Sequence, residues 1–154
     1  MELLVEIDKV IKQSSGFTDG YQKALVNLLY TANHFRDTHQ KVFKKYGIQG
    51  QHFNVMRILK GKHPEAVTPG YIKEVMIDKG RDLTRLVDKL ETLGWVTRRV
   101  CEDNKRQMNI NLTEIGIKKL DELRQIIKKL DDQLKCMTEE EYNQLSALLD
   151  KMRG

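Results

Sequence analysis

Between Thr68 and Leu112 the spacing of apolar residues changes once, and that change narrows the possible folds more than any other feature. In GRDLTRLVDKLETLG, Leu83, Leu86, Val87, Leu90 and Leu93 recur every three or four residues, the period of one helical face. Gly94 ends the run. WVTRRVC and QMNINL follow, and Met108, Ile110 and Leu112 alternate with Gln107, Asn109 and Asn111, the period of a strand. The charged EDNKR between them has hairpin-turn chemistry. Upstream, Thr68-Pro69 reads as an N-cap and a first helical residue, because proline's missing N–H has no helical partner there in any case. A short helix over about 70–77, the turn DKG, a second helix and a two-stranded hairpin make a winged helix-turn-helix.

The flanking segments are helical. Residues 2–13 place Leu3, Leu4, Ile7, Val10 and Ile11 on one side, and SSGFTDG interrupts them. Thr18 or Asp19 is the N-cap of a helix reaching about Lys45, with Tyr21, Ala24, Leu25, Leu28, Leu29, Ala32 and Phe35 as its stripe and Val42 and Phe43 near its end. Gly47 stops it, and a helix over about 51–60 packs Phe53, Val55, Met56, Ile58 and Leu59. After Thr113, Leu120, Leu123, Ile126, Ile127, Leu130 and Leu134 fall in helical register. Thr138 and Glu141 form the capping box of a last helix holding Tyr142, Leu145, Leu148, Leu149 and Met152. The expected class is mainly α with a small β-hairpin wing, one domain over residues 1–154.

Composition sets function classes aside. No stretch is long and apolar enough for a membrane span, and MELLVEIDKVIK has no uninterrupted apolar run for a secretory leader, so the cytoplasm is the expected compartment. Cys101 and Cys136 stand 35 residues apart without a CxxC pair and read as packing residues. His34 and His39 miss the spacing that puts two ligands on one helical face, and His52 and His63 lie in other segments, so no metal site is expected. There is no glycine-rich phosphate loop and no Gly-x-Ser-x-Gly, so neither catalytic residues nor a cofactor are expected.

The net charge of +5 is unevenly spread. Residues 79–106 carry eight basic and five acidic side chains, whereas residues 113–154 carry eight basic and nine acidic. In the leucine-rich helix Arg81, Thr84, Arg85, Asp88 and Lys89 face away from the apolar side, and Lys79 precedes them. Such a face is either solvated or aimed at the major groove, where arginine's planar fork grips guanine or a phosphate with two bonds. Lys105 and Arg106 stand at the hairpin tip, within reach of a neighbouring minor groove, and Arg98 and Arg99 lie on the strand leading there.

RDLTRLVDKLETLGWVTRR, DNKRQMNINLTEIG and, upstream, YGIQGQHFNVMRIL together resemble the MarR family, the multiple-antibiotic-resistance type of bacterial transcription regulator. The resemblance covers nearly the whole chain. It implies a homodimer whose dimerisation helices come from residues 1–46 and 113–154, with the winged helix-turn-helix of residues 50–112 on a pseudo-palindromic double-stranded operator. By the same resemblance Arg81, Asp82 and Thr84 open the recognition helix, Arg85 holds a phosphate, Asp88 orients neighbouring arginines, and Arg106 is the wing-tip arginine. A small aromatic effector releasing a repressor is also implied, in a cleft lined by Phe35, His39, Phe53 and Met56. Two departures stand out: Arg81 and Asp82 replace small hydroxyl residues, and Asn104 replaces an acidic one in the wing. The alternatives are a dimeric winged-helix scaffold acting through protein contacts and a metal- or redox-responsive regulator.

Overall fold

Helices begin where a side-chain oxygen is available to take an unpaired backbone N–H. In the computed structural model, which describes residues 5–154, Asp19 caps α2 (Gly20–Lys44) and Thr68 caps α4 (Pro69–Val75). Asp82 does the same for α5 (Leu83–Thr92), Thr113 for α6 (Glu114–Leu134) and Thr138 for α7 (Glu139–Arg153). The expected capping box is present, with Thr138 and Glu141 each accepting the other's backbone N–H. The remaining elements are α1 (Ile7–Val10), α3 (Gly50–Lys62), β1 (Val96–Val100) and β2 (Met108–Leu112). The architecture is mainly helical with one antiparallel hairpin.

Two boundaries differ from the sequence reading. The first amphipathic segment is helical only over Ile7–Val10 among the described residues, and Leu3 and Leu4 lie outside them. The helix expected to reach Ile77 stops at Val75: Met76 turns extended, and the Ile77 N–H donates to Asn54 Oδ1 at 3.0 Å.

The core lies in the winged head. Val55, Met56 and Leu59 of α3, Ile72 of α4, Leu83, Leu86, Val87 and Leu90 of α5, and Leu120 and Leu123 of α6 form one buried cluster. Each such side chain contributes about 1.5–3 kcal/mol on leaving water. Val96 pairs with Leu112 and Arg98 with Ile110 across the hairpin, and Val67 adds a backbone bridge to Ile110. Outside the head the stripes stay uncovered. Of the 25 residues of α2 only Phe43 is buried, and α7 buries none.

One junction joins head, wing and α6. Gly94 adopts φ +73, a left-handed turn that favours glycine, and lets the chain leave α5 for β1. Trp95 O then accepts the Thr113 N–H at 3.0 Å, while Thr113 Oγ1 donates to Gly94 O at 2.7 Å. Gly116, one turn into α6, packs directly on the Trp95 carbonyl, and a β-carbon there would overlap its oxygen. Backbone on both sides leaves nothing to rotate aside. Gly116→Ala is therefore expected to destabilise the protein by about 3 kcal/mol, at the upper end for overpacking. Urea unfolding checks this, with Gly61→Ala as the control, since that position has open space around it.

Candidate nucleic-acid interface

The apolar side of α5 is sealed: Leu83, Leu86, Val87 and Leu90 are buried and Leu93 packs against the core. That rotation leaves Thr84, Arg85, Asp88 and Lys89 exposed, as the leucine spacing requires. The Arg85 side chain is 87% exposed, with Nε 3.5 Å from Asp82 Oδ2. Arg81 and Asp82 precede the helix. The Asp82 carboxylate is already engaged: its Oδ1 caps α5 by accepting the Arg85 N–H at 3.3 Å. The cap holds Asp82 at the exposed entry to α5, where its loss would leave the helix end unpaired. Arg81 Nε lies 3.3 Å from Asp78 Oδ2, which also accepts from Gln51 Nε2 at 3.1 Å. The Gln51 bond, then the Gly80 N–H and Arg81, hold the Asp78 carboxyl below its ordinary range.

Arg98 departs most from expectation. Its NH2 and Nε reach Glu91 Oε2 at 2.6 and 3.0 Å, its NH1 reaches Asp88 Oδ1 at 2.6 Å, and its backbone N–H donates to Glu91 Oε1 at 3.2 Å. The guanidinium straps β1 to α5 through Nε, NH1 and NH2. Asp88 and Glu91 together hold the Arg98 side chain against α5. Glu91 was not among the expected site residues; the strand register that brings Arg98 over it is invisible in sequence. Arg99, Lys105 and Arg106 remain exposed. At the tip, Asn104 Oδ1 accepts the Arg106 N–H at 3.2 Å, closing the turn.

Two clefts flank this face. One, of about 850 Å³, lies between α2, α3 and the α4–α5 turn, and is lined in part by Arg36, His39, Phe43, Asn54, Lys79 and Arg81. Of the four residues expected around an effector, His39 alone lines it. Met56 is 0% exposed within the core, Phe53 stacks on Phe43 with centroids 5.1 Å apart, and Phe35 is exposed beside His34. His39 is also tied to α6, its Nε2 2.6 Å from Asp131 Oδ1 and its Nδ1 2.7 Å from Phe35 O. The second cleft, of about 670 Å³, runs between the α2–α3 junction and α5. Among the described residues no group of three or more His, Cys, Asp and Glu is placed to hold a metal, and no helix is long and apolar enough to cross a membrane.

Hydrogen bonding to Arg98 lowers the Glu91 pKa below its ordinary value, with the arginine's charge adding to it. A lowered carboxylate stabilises the folded arrangement above its unfolded pKa, and that contribution disappears as pH falls through the lower folded value. The strap is thus expected to hold through neutral and weakly acidic pH and to open below the ordinary carboxylate range. Amide exchange at Arg98, whose N–H is bonded to Glu91, should accelerate there beyond its intrinsic pH dependence. In Glu91→Gln that additional step should be absent.

No family model matches the chain. It is 31% identical over 114 residues to the HTH-type transcriptional regulator PecS of Dickeya dadantii, covering 73% of this chain and 69% of that protein. It is 26% identical over 98 residues to the transcriptional repressor MprA of Escherichia coli K12, covering 62% of this chain and 56% of MprA. Among solved structures, wild-type MarR of E. coli in its apo form is similar with a TM-score of 0.63 and 28% identity, over 82% of this chain and 93% of MarR. MepR of S. aureus, solved in complex with DNA, has a TM-score of 0.74 over 89% of this chain and 96% of MepR, and at 22% identity that likeness concerns the fold. These relatives are transcriptional regulators rather than enzymes. With the helix-turn-helix and the wing in place, the chain belongs to the MarR family of winged-helix transcriptional regulators.

Proposed function

We propose that the protein is a homodimeric, sequence-specific double-stranded-DNA regulator, in which residues 50–112 read the duplex and residues 1–46 and 113–154 pair the subunits. The observation carrying this reading is the strap. Arg98 fixes the wing against the recognition helix, leaving Arg85, Lys89, Lys105 and Arg106 exposed on a preset frame. Such a frame offers cations to phosphates and base edges without ordering a flexible surface first. The solved MepR–DNA complex supports the same use of the fold. Repression is the proposed sign, as in the similar repressor MprA.

The dimer rests on uncovered apolar side chains. Tyr21, Leu29, Tyr30 and Phe35 on α2, and Leu145, Leu148 and Met152 on α7, are exposed in the single subunit. Stripes of this extent mark an interface or an aggregation risk. Effector release is assigned to the cleft between α2 and the head, where Arg81 lies on the wall of both that cleft and the α5 side. A ligand competing with Asp78 for Arg81 would disturb the entry to the recognition helix.

Light scattering at micromolar concentration should give the mass of a dimer; a stable monomer would sink the pairing scheme. Footprinting on the DNA upstream of its own gene should show two protected blocks about one helical turn apart. Arg81→Ala and Arg85→Ala should each cost about 1–3 kcal/mol on the preferred site and relax preference at one position per half-site. Arg106→Ala should weaken preferred and scrambled duplexes alike and flatten the salt dependence by roughly one charge per subunit. An unchanged salt slope would show that the wing tip does not touch DNA. Equal affinity of the native protein for all duplexes would instead favour a scaffold acting through protein contacts.

A further inference from the structure

The turn between α4 and α5 carries a carboxylate, Asp78, surrounded by donors. Its Oδ2 accepts from Gln51 Nε2 at 3.1 Å and from Arg81 Nε at 3.3 Å, while its Oδ1 accepts the Gly80 N–H at 3.3 Å. These donors come from two places in the fold: Gln51 stands in the first turn of α3, and Gly80 and Arg81 lie in the approach to α5. Asp78 is thus the point at which the approach to the recognition helix is fixed to the head. The Gln51 bond foremost holds its carboxyl below the ordinary range, so it is charged at neutral pH.

What Asp78 leaves free on Arg81 matters as much as what it holds. The ion pair is made through Nε, and among the described residues NH1 and NH2 have no hydrogen-bond or ion-pair partner. The Arg81 side chain is 54% exposed. Arg98 is the contrast, since its Nε, NH1 and NH2 are all engaged by carboxylates. An arginine held at Nε has lost rotamer freedom, yet its uncommitted NH1–NH2 edge can still grip guanine O6 and N7 in two bonds. A carboxylate beside a polyanion weakens binding to every duplex alike, so Asp78 can favour DNA only through the geometry it imposes.

We propose that Asp78, held by Gln51, is a positioning residue for sequence preference: it presets the Arg81 guanidinium with its NH1–NH2 edge toward a base pair. The inference rests on the DNA reading above and extends it from the residue that touches DNA to two that do not. Presetting removes freedom that a long side chain otherwise loses on binding, and it fixes where the two donors meet the duplex. Asp78→Asn keeps an acceptor for the Gly80 N–H, but its amide NH2 confronts the donors of Gln51 and Arg81. Loss of the negative charge by itself tightens binding to every duplex. The quantity that reports positioning is therefore the ratio of affinities for two sequences, not either affinity alone.

The test starts from a duplex that the full-length native protein selects from a random pool. Affinities for it and for its single-base-pair variants are measured with the native protein, Asp78→Asn, Arg81→Ala and the double variant. Asp78→Asn is expected to lower the preference by about threefold to tenfold at the base pair that Arg81→Ala relaxes, and to lower it no further once Arg81 is alanine. Gln51→Ala is expected to act in the same direction by a smaller factor, and it decides the question by the same comparison should Asp78→Asn fail to fold. Tighter binding of Asp78→Asn to all duplexes with unchanged preference overturns the proposal, since Asp78 is then only a repelling charge. A loss of preference at every position, or one that persists once Arg81 is alanine, also overturns it, because Asp78 then acts through the turn and not through the arginine. If the selection yields no preferred sequence, the DNA reading fails and this one with it. A preferred sequence indifferent to Asp78→Asn sinks the positioning role alone.

Discussion

The Trp95 carbonyl does two things at once: it accepts the Thr113 N–H, and it occupies the space a side chain would need at Gly116. Both the end of the recognition helix and the start of α6 are defined by that contact. α5 terminates through Gly94 directly into it, β1 leaves from it, and β2 returns to it. Because backbone meets backbone, the junction has no rotamers through which to adjust. A shift of α6 is therefore conveyed to the recognition helix and the wing.

The charges of the head divide by environment rather than by residue type. The Arg98 guanidinium is held by two carboxylates, and its backbone N–H is bonded to one of them. Arg85 and Arg106 differ from it only in position, and both extend into solvent. Asp82 and Asp78 sit among cations, yet each is engaged in a turn or cap. Buried or bridged charge here fixes geometry, and the remaining unpaired cations supply the field. This division allows an interface with a modest net charge to present a locally positive face.

Apolar surface divides in the same way. The head buries Leu59, Leu83, Leu86 and Leu90, while the stripes of α2 and α7 remain open in one subunit. Neither helix is held by much of its own core, and His39 with Asp131 provides one polar tie between α2 and α6. Covering those stripes would remove apolar area from water on a scale that polar ties cannot match.

Local rules were legible in the sequence because they act over a few residues. The leucine period gave the buried face of α5, the alternation at Met108, Ile110 and Leu112 gave the hairpin, and caps at Thr68 and Thr138 follow from side chains that take backbone N–H groups nearby. The family likeness was legible for the same reason, since its motifs are contiguous. Which partner each functional side chain meets was decided by tertiary structure. Arg98 became a strap because the hairpin register lays it over Asp88 and Glu91, seven residues and more away. Met56 is buried because α3 turns it into the core, and His52 lines the cleft beside α5 because α3 enters there. Spacing along a helix gives direction relative to that helix alone; what lies in that direction depends on how the other helices pack.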